Sequence, residues 1–495
     1  MNTHLLLEMA AQEGVGRIAV GSLRGGLSYA DLLAASKSFA NWIEELGVEN
    51  IVYAGLNAPE FPVALFASAI AGKPFVPLNY RLPDADLRKL ASRVTPCVAI
   101  LDDDIIARIG TVSGMKTIRK MDLLAKVENH PAAEAFDETA ENVAVLLFTS
   151  GTTGEPKAAM LRHRHLVSYV ISTLDFMGAE EEEATLISVP PYHIAGISAV
   201  LTSVYSGRRM VQLGAFSPQD WVDLAAREKV THAMMVPTML GRVLDILEAR
   251  GETLPQLQHL SYGGGRMPVS VIRRALHLLP HVNFVNAYGL TETSSTISVL
   301  TPDNHRDALA ASTHEAQARL GSVGQPLPTL ELEIRDAEGN PVGASEIGEV
   351  WVRGEQVSGE YVGGSALRED GWFPTKDHGY LDTAGYLFIE GRLDDVIVRG
   401  GENISPGEIE DVLRDHPAVA DVAVIGLPDE EWGERIMAVV VPEGEPSKEE
   451  LKALVRGRLR STRVPEDIIF RTELPYNETG KLLRRILKAE LSRVS

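Results

Sequence analysis

Disulfide bonding within the chain is closed off, because its 495 residues include one cysteine, Cys97. A lone thiol fits a reducing compartment, and the apolar setting TPCVAIL marks Cys97 as a buried strand residue rather than a nucleophile. Positive charge is also scarce: 47 Lys and Arg face 68 Asp and Glu, a net charge of −21. That balance argues against duplex nucleic acid as a partner, since such binding rests on neutralising phosphates with Lys and Arg. An anionic substrate would need its positive charge gathered locally. One stretch without Asp, Glu, Lys or Arg, residues 184–207, is long enough to cross a bilayer, but Pro190, Pro191 and His193 break it. It reads as a buried strand, a turn and a buried helix, so no transmembrane segment is expected. The start, MNTHLLLEMAAQEG, has no Lys or Arg before its short apolar run, and Glu8 interrupts that run. No targeting segment is expected, and the chain is expected to be cytoplasmic.

The length suffices for at least two domains, and the composition is that of a globular protein. Residues 1–391 alternate helical and strand patterns in α/β style. YADLLAASKSFANWIEELG is an amphipathic helix leading to the apolar run NIVYAGLN; a helix from Glu60 to Ala71 leads to PFVPLN. Ser217, Pro218 and Asp220 supply the cap, first-turn proline and capping acid of another helix. Uninterrupted apolar strands point to parallel sheets covered on both faces. Between Pro302 and Ala318 the texture is polar and irregular, and TLELEIRD, GEVWVRG and GYLFIEGR then read as a small antiparallel part. The style changes after Arg392. Ser405, Pro406 and Glu408 read as a helix start, as do Ser447 and Glu450, and residues 396–495 form a separate α+β domain beyond a hinge at 392–395.

The densest chemistry lies in FTSGTTGEPK, Phe148 to Lys157. A strand, NVAVLLF, delivers the chain into two glycines, Gly151 and Gly154, and four hydroxyls, Thr149, Ser150, Thr152 and Thr153. Glycines let backbone amides turn toward an anion, and hydroxyls add donors. Walker geometry is excluded, because only two residues separate the glycines and Pro156 precedes Lys157. Further motifs come from distant segments. SYGGGRMP sets Gly263, Gly264 and Gly265 after a strand, where a flat ring can approach the backbone. AYGLTET places an aromatic, a glycine and an acid at a strand end. FPTKDHGYLD offers Asp377 in a loop, followed by GRLDDVIVRGGENI and NETGKLLRR. The run RHRH, Arg162 to His165, reads as a partly exposed helix face.

Together, in this order, these motifs resemble the acyl-adenylate-forming superfamily: acyl- and aryl-CoA ligases, luciferases and peptide-synthetase adenylation domains. The resemblance runs from Val145 to Arg485. It implies a large N-terminal adenylate-forming domain and a small mobile C-terminal domain that meet over the active site. It further implies that ATP and a carboxylic acid give acyl-AMP and pyrophosphate, and that a thiol then displaces AMP. The loop from Thr149 to Lys157 is similar to the one that holds the departing phosphates. Glu292 resembles the Mg2+ ligand, with Thr149 as a second. Tyr288 resembles the residue stacked on adenine, beside Gly263 to Gly265, Asn286, Ala287, Gly289 and Thr291. Asp377 and Arg392 match the ribose-holding pair. Asp394 matches the hinge position, and Gly400 and Gly401 the loop facing the thiol tunnel. Lys481 resembles the lysine that bridges the carboxylate and the α-phosphate; an ammonium there cancels the repulsion of two anions. Lys376 departs from the pattern, which has glycine before the aspartate.

His193, in PPYHIAGI, matches a histidine near the carboxylate. The acyl pocket is expected to be lined by His193, Ile194, Met234, Gly263, Ala287, Gly289 and Ser294, which are small, apolar or neutral. An apolar fatty, alicyclic or aryl acid therefore fits better than a dicarboxylate. PPYHIAGI has no aspartate to pair with an α-ammonium, which argues against an amino acid substrate. The short run after Lys481 leaves no room for a carrier domain, so free CoA is the expected acceptor, with Arg81 and Trp432 at matching CoA positions. The alternatives are an acyl-AMP ligase serving a separate carrier protein, a luciferase-type oxygenase, and a non-catalytic nucleotide-binding relative. The sequence leaves the oligomeric state open, a homodimer included.

Overall fold

The computed structural model describes residues 1–128, 130–132, 139, 141–149, 156–392, 395–400, 402–429, 432–476 and 482–492. Its centre is two large mixed sheets with helices between and outside them. In the nine-stranded sheet the strands Ile18–Ser22, Arg209–Gln212, Ala184–Ile187, His232–Met235, His259–Gly263 and Asn283–Leu290 run parallel, in that spatial order. Antiparallel strands close both edges: Gly25–Ser28 at one, Ser295–Leu300 and Gln325–Pro326 at the other. The eight-stranded sheet has a parallel half, Met115–Arg119, Cys97–Leu101, Asn50–Ala54, Phe75–Pro77 and Val143–Thr149. Its antiparallel half is Lys157–Arg162, Glu360–Tyr361 and Gly364–Ser365.

One apolar cluster joins the two sheets through the helices Tyr29–Leu46, Glu60–Ile70 and Ile194–Ser206. All eleven residues of Glu60–Ile70 are buried, as expected for a helix pressed between layers that shield it all round. Tyr29–Leu46 starts at a capping box between Ser28 and Asp31 and stops at Gly47, in the left-handed conformation. A four-stranded antiparallel sheet, Glu331–Arg335, Gly348–Arg353, Phe373–Leu381 and Leu387–Arg392, packs beside them. In the C-terminal domain, Val419–Asp429 and Gly433–Pro442 carry a five-stranded sheet flanked by the helices Pro406–Arg414, Lys448–Arg458 and Arg484–Leu491. Among the described residues, its two apolar clusters draw only on residues from Ile397 onward.

The expected α/β core, antiparallel part and α+β terminal domain are all present, and residues 184–207 fold as strand, turn and helix. Among the described residues no helix is long and apolar enough to cross a membrane. Several local expectations need correction. The polar run from Pro302 to Ala318 holds two helices, Pro302–Ala310 and His314–Ala318, because Thr301 and Thr313 cap starts that lack an apolar stripe. In RHRH, Arg164 is exposed, as a partly exposed face requires, but His163 and His165 are buried; the His165 Nδ1 accepts the Arg162 amide at 3.2 Å. Ser405 does not cap its helix: its hydroxyl donates to the Glu390 carbonyl at 2.7 Å, across the domain boundary.

Cys97 is fully buried in its strand, and burial pushes the thiol up to about 11. Since the thiolate is the reactive form, native protein at pH 8 is expected to react with a thiol reagent at least about a hundredfold more slowly than urea-unfolded protein. Absorbance stopped-flow with Ellman's reagent measures both rates.

Candidate active site

The site forms where the parallel strands of the nine-stranded sheet end, the usual crevice position in an open α/β sheet. The chain leaves Ala184–Ile187 for the turn to His193, leaves His259–Gly263 for Gly264 and Gly265, and leaves Asn283–Leu290 for Glu292. Close backbone approach sets the residue types here. A Cβ on Gly263 would lie 2.2 Å from the Ala287 carbonyl oxygen, and one on Gly289 only 1.8 Å from that of Ser295. Both positions therefore exclude any side chain. Asn286 is buried and donates from Nδ2 to the Ser322 carbonyl at 3.0 Å.

Three segments far apart in sequence meet at Asp377. Its Oδ2 accepts the Tyr288 hydroxyl at 2.6 Å, and its Oδ1 pairs with Arg392 Nε at 3.0 Å. Asp377 lies on the strand Phe373–Leu381, not in a loop, with Arg392 as its cross-strand partner. Burial and the adjacent carboxylate hold the Tyr288 hydroxyl well above its ordinary range, so it stays a donor. Burial works against the Arg392 charge, but nearby groups led by Asp377, with Glu292 and Asp395 among them, raise its pKa overall. Each carboxylate oxygen has one of these partners, and a carboxylate has about four acceptor sites, which leaves lone pairs for further donors.

Lys376 explains how a lysine can stand where a glycine is the norm. Its φ is +63°, the left-handed conformation, and its amide donates to Glu349 Oε1 at 3.1 Å. The following amide of Asp377 donates to Thr375 Oγ1 at 3.1 Å, so these two bonds tie down the backbone on either side of the left-handed residue within the strand.

Glu292 sits on the single 3-10 turn Thr291–Thr293 and is 9% exposed. Segment 356–361 wraps it. The Ser358 and Gly359 amides donate to the Glu292 carbonyl at 2.8 and 3.2 Å, Gln356 Nε2 donates to the carbonyls of Thr293 and Thr296, and the Tyr361 hydroxyl donates to Glu292 Oε1 at 2.6 Å. Tyr361 belongs to the other large sheet, where it pairs with Ala159, and Lys157 Nζ lies 5.8 Å from its ring centroid. Lys157 in turn faces Thr149 across the strand pair, and the Thr149 hydroxyl donates to the Lys157 carbonyl at 3.4 Å. Tyr361 was not anticipated, because its strand of two residues between Gly359 and Gly363 has no periodicity to read.

Toward the expected acyl pocket, His193 stands at the N-cap position of the helix Ile194–Ser206 without a side-chain capping bond, its ring tilted 52° to that of Tyr192 with centroids 4.6 Å apart. Burial, with the nearby Arg81 charge second, lowers its pKa to about 4, so the imidazole is neutral at pH 7. Its Nε2 is shut from solvent with no hydrogen-bond partner among the described residues, and so is the Ser294 hydroxyl. Met234 lies beside Ser188, whose hydroxyl meets its carbonyl at 3.5 Å. Arg81 thus groups with His193, whereas Gly400 and Trp432 group in the C-terminal domain: the Gly400 amide donates to the Trp432 carbonyl at 2.8 Å. Trp432 is 46% exposed, with Arg399 over its ring. Ser150, Gly151, Thr152, Thr153, Gly154, Asp394, Gly401 and Lys481 lie outside the described residues.

Known proteins carry the same organisation. The family described as AMP-binding enzyme matches residues 7–362, and the AMP-binding enzyme C-terminal domain matches residues 408–481. The indoleacetate–CoA ligase of Aromatoleum aromaticum is 30% identical over 490 residues, 94% of each chain. The long-chain-fatty-acid–CoA ligase of Thermus thermophilus is 31% identical over 521 aligned positions, covering 99% of this chain and 95% of its own. Among solved structures, the O-succinylbenzoate coenzyme A synthetase of Bacillus subtilis, in complex with ATP and magnesium ion, superimposes with a TM-score of 0.84 at 30% identity, covering 98% of this chain and 99% of its own. The chain belongs to the AMP-binding enzyme family.

A left-handed backbone costs an L-residue about 1 kcal/mol or more, which glycine avoids. Lys376→Gly is therefore expected to raise stability by up to about 1 kcal/mol in urea unfolding while leaving ATP affinity unchanged.

Proposed function

We propose that this enzyme is an AMP-forming acid–CoA ligase that activates an apolar acyl or aryl carboxylate as its acyl-AMP. The observation that carries this reading is the convergence of Tyr288, Asp377, Arg392 and Glu292 at one strand-end crevice, within the fold of the AMP-binding enzymes. Asp377 and Arg392 take the ribose hydroxyls, and Tyr288 offers its ring face to adenine against the backbone of Gly263, Gly264 and Gly265. Asn286, Ala287, Gly289 and Thr291 line the same cleft. Thr149 to Lys157 receives the leaving phosphates.

The donors suit magnesium. Glu292 has one carboxylate oxygen engaged by Tyr361 and one to spare, Thr149 adds a hydroxyl, and no group of three His, Cys, Asp or Glu among the described residues forms a complete cage. Mg2+ takes such sparse hard-oxygen sites because it keeps waters and substrate phosphates as its other ligands. When bound, the ion offsets charge on the phosphates. The substrate carboxylate oxygen attacks the α-phosphorus, and the bond to pyrophosphate breaks. Lys481 bridges the two anions, holding them in line. The CoA sulfur then attacks the acyl carbon, its proton leaves to solvent, and AMP departs.

Residues 1–391 and 396–495 act as two bodies hinged at 392–395 around Asp394. This reading is supported by their separate apolar clusters and by polar contacts between them, including the Arg266–Asp411 ion pair at 2.6 Å. His193, Ile194, Met234, Gly263, Ala287, Gly289 and Ser294 surround the acyl group, whose apolar body suits their small or neutral side chains. Arg81, Gly400, Gly401 and Trp432 contact CoA.

With CoA and a panel of fatty, alicyclic, benzoic and phenylpropenoic acids, ATP is expected to yield AMP and one class of acyl-CoA. ADP as the product, or AMP without thioester, would contradict the ligase reading; chromatography of the nucleotides and thioesters separates these cases. Lys481→Ala should lose about a hundredfold to a thousandfold in acyl-AMP formation, measured by ATP–pyrophosphate exchange. Thioester formation from supplied acyl-AMP should survive; equal losses in both half-reactions would remove Lys481 from its role.

A further inference from the structure

We infer that Tyr361 is a positioning residue for the metal carboxylate: it turns Glu292 so that Oε2 alone faces the Mg2+ of bound ATP. The inference rests on the ligase reading and on Glu292 as the metal ligand.

Four observations support it. The Tyr361 hydroxyl donates to Glu292 Oε1 at 2.6 Å, short for such a bond and typical of a charged acceptor. The same segment fixes the Glu292 backbone, since Ser358 and Gly359 donate to its carbonyl and the buried Gln356 holds the carbonyls of Thr293 and Thr296. With the main chain fixed, the side-chain torsions are the remaining freedom of the carboxylate, and Tyr361 removes it. Finally, Tyr361 is anchored in the opposite sheet by pairing with Ala159, in the strand that Lys157 begins. Its ring lies under the Lys157 ammonium at 5.8 Å. One tyrosine thus references the metal carboxylate to the strand that carries the end of the phosphate loop, although the two ligand groups belong to different sheets.

A hydrogen-bonding partner of a metal ligand typically contributes tenfold to a hundredfold in metal affinity. Among the described residues no group of three His, Cys, Asp or Glu comes together to hold an ion, so the orientation of Glu292 matters the more.

The test is ATP binding by isothermal titration calorimetry, with no acid present, in saturating Mg2+ and again in EDTA, for the wild-type chain, Tyr361→Phe and Glu292→Gln. Phenylalanine keeps the ring, its packing and the contact with Lys157, and a thermal melt without ligand verifies the fold. Tyr361→Phe is expected to bind ATP in EDTA like the wild type but to lose about tenfold or more of the gain in affinity that Mg2+ confers. If Glu292→Gln abolishes that gain and Tyr361→Phe keeps it, the role of Tyr361 is overturned while Glu292 stands. A gain preserved in Glu292→Gln overturns the metal assignment and the inference with it. Wild-type protein that binds no ATP would overturn the ligase reading itself. A lower melting temperature with the Mg2+ gain intact would make Tyr361 a structural residue only.

Discussion

The ion pair between Arg392 and Asp377 is the constraint around which the site is arranged. Two neighbouring strands of the small antiparallel sheet supply it, and Tyr288 ties it to the large parallel sheet by a 2.6 Å bond. Without Arg392, the buried Asp377 carboxylate would lose its ion-pair partner, a costly loss in a low-dielectric crevice. With it, one carboxylate oxygen meets the guanidinium while the other accepts the Tyr288 hydroxyl. Arg392 also ends the strand Leu387–Arg392, so the proposed ribose-holding residue is adjacent in sequence to the proposed pivot. In the proposed reading, nucleotide binding and domain movement lie within a few residues of each other.

A protein with net charge −21 that handles a polyanion and a carboxylate must ration its cations. Arg392 is held in place by carboxylates, and Lys157 rests over an aromatic ring; the proposed bridging lysine, Lys481, is supplied by the C-terminal domain. Delivering the last charge on a moving body has a clear physical benefit. In the proposed mechanism the anions would enter a crevice that is not yet fully closed, and the ammonium would complete the electrostatic field only once they are in place. His193 adds no charge of its own at neutral pH, because burial and the Arg81 guanidinium keep its ring unprotonated.

Much of the scaffold could be read from local rules. Ser28 and Gly47 delimit a helix, Ser217 and Pro218 begin another, and the break at Pro190 and Pro191 separates a strand from a helix. The site was legible differently: its residue roles came from likeness to a family, since no periodicity distinguishes Glu292 or Asp377 from surface acids. What escaped had physical reasons. The helices after Thr301 and Thr313 have caps but no apolar stripe. Asp377 sits in a strand that continues past the left-handed Lys376, a conformation its residue type does not advertise. Tyr361 gains its meaning only from the sheet opposite, through a contact spanning 69 residues of sequence. Ser405 has the sequence of a cap, yet its hydroxyl serves the neighbouring domain.

Attack of the substrate carboxylate on the α-phosphorus of ATP is the claim on which everything else depends. Its most direct test is isotope transfer from an acid labelled with oxygen-18 in both carboxyl oxygens, run to completion with ATP and CoA and read by mass spectrometry of the nucleotide. Attack at the α-phosphorus leaves one labelled oxygen in AMP when the thiol displaces it, and none in pyrophosphate. Unlabelled AMP, or label recovered in inorganic phosphate or pyrophosphate, would contradict an acyl-adenylate route.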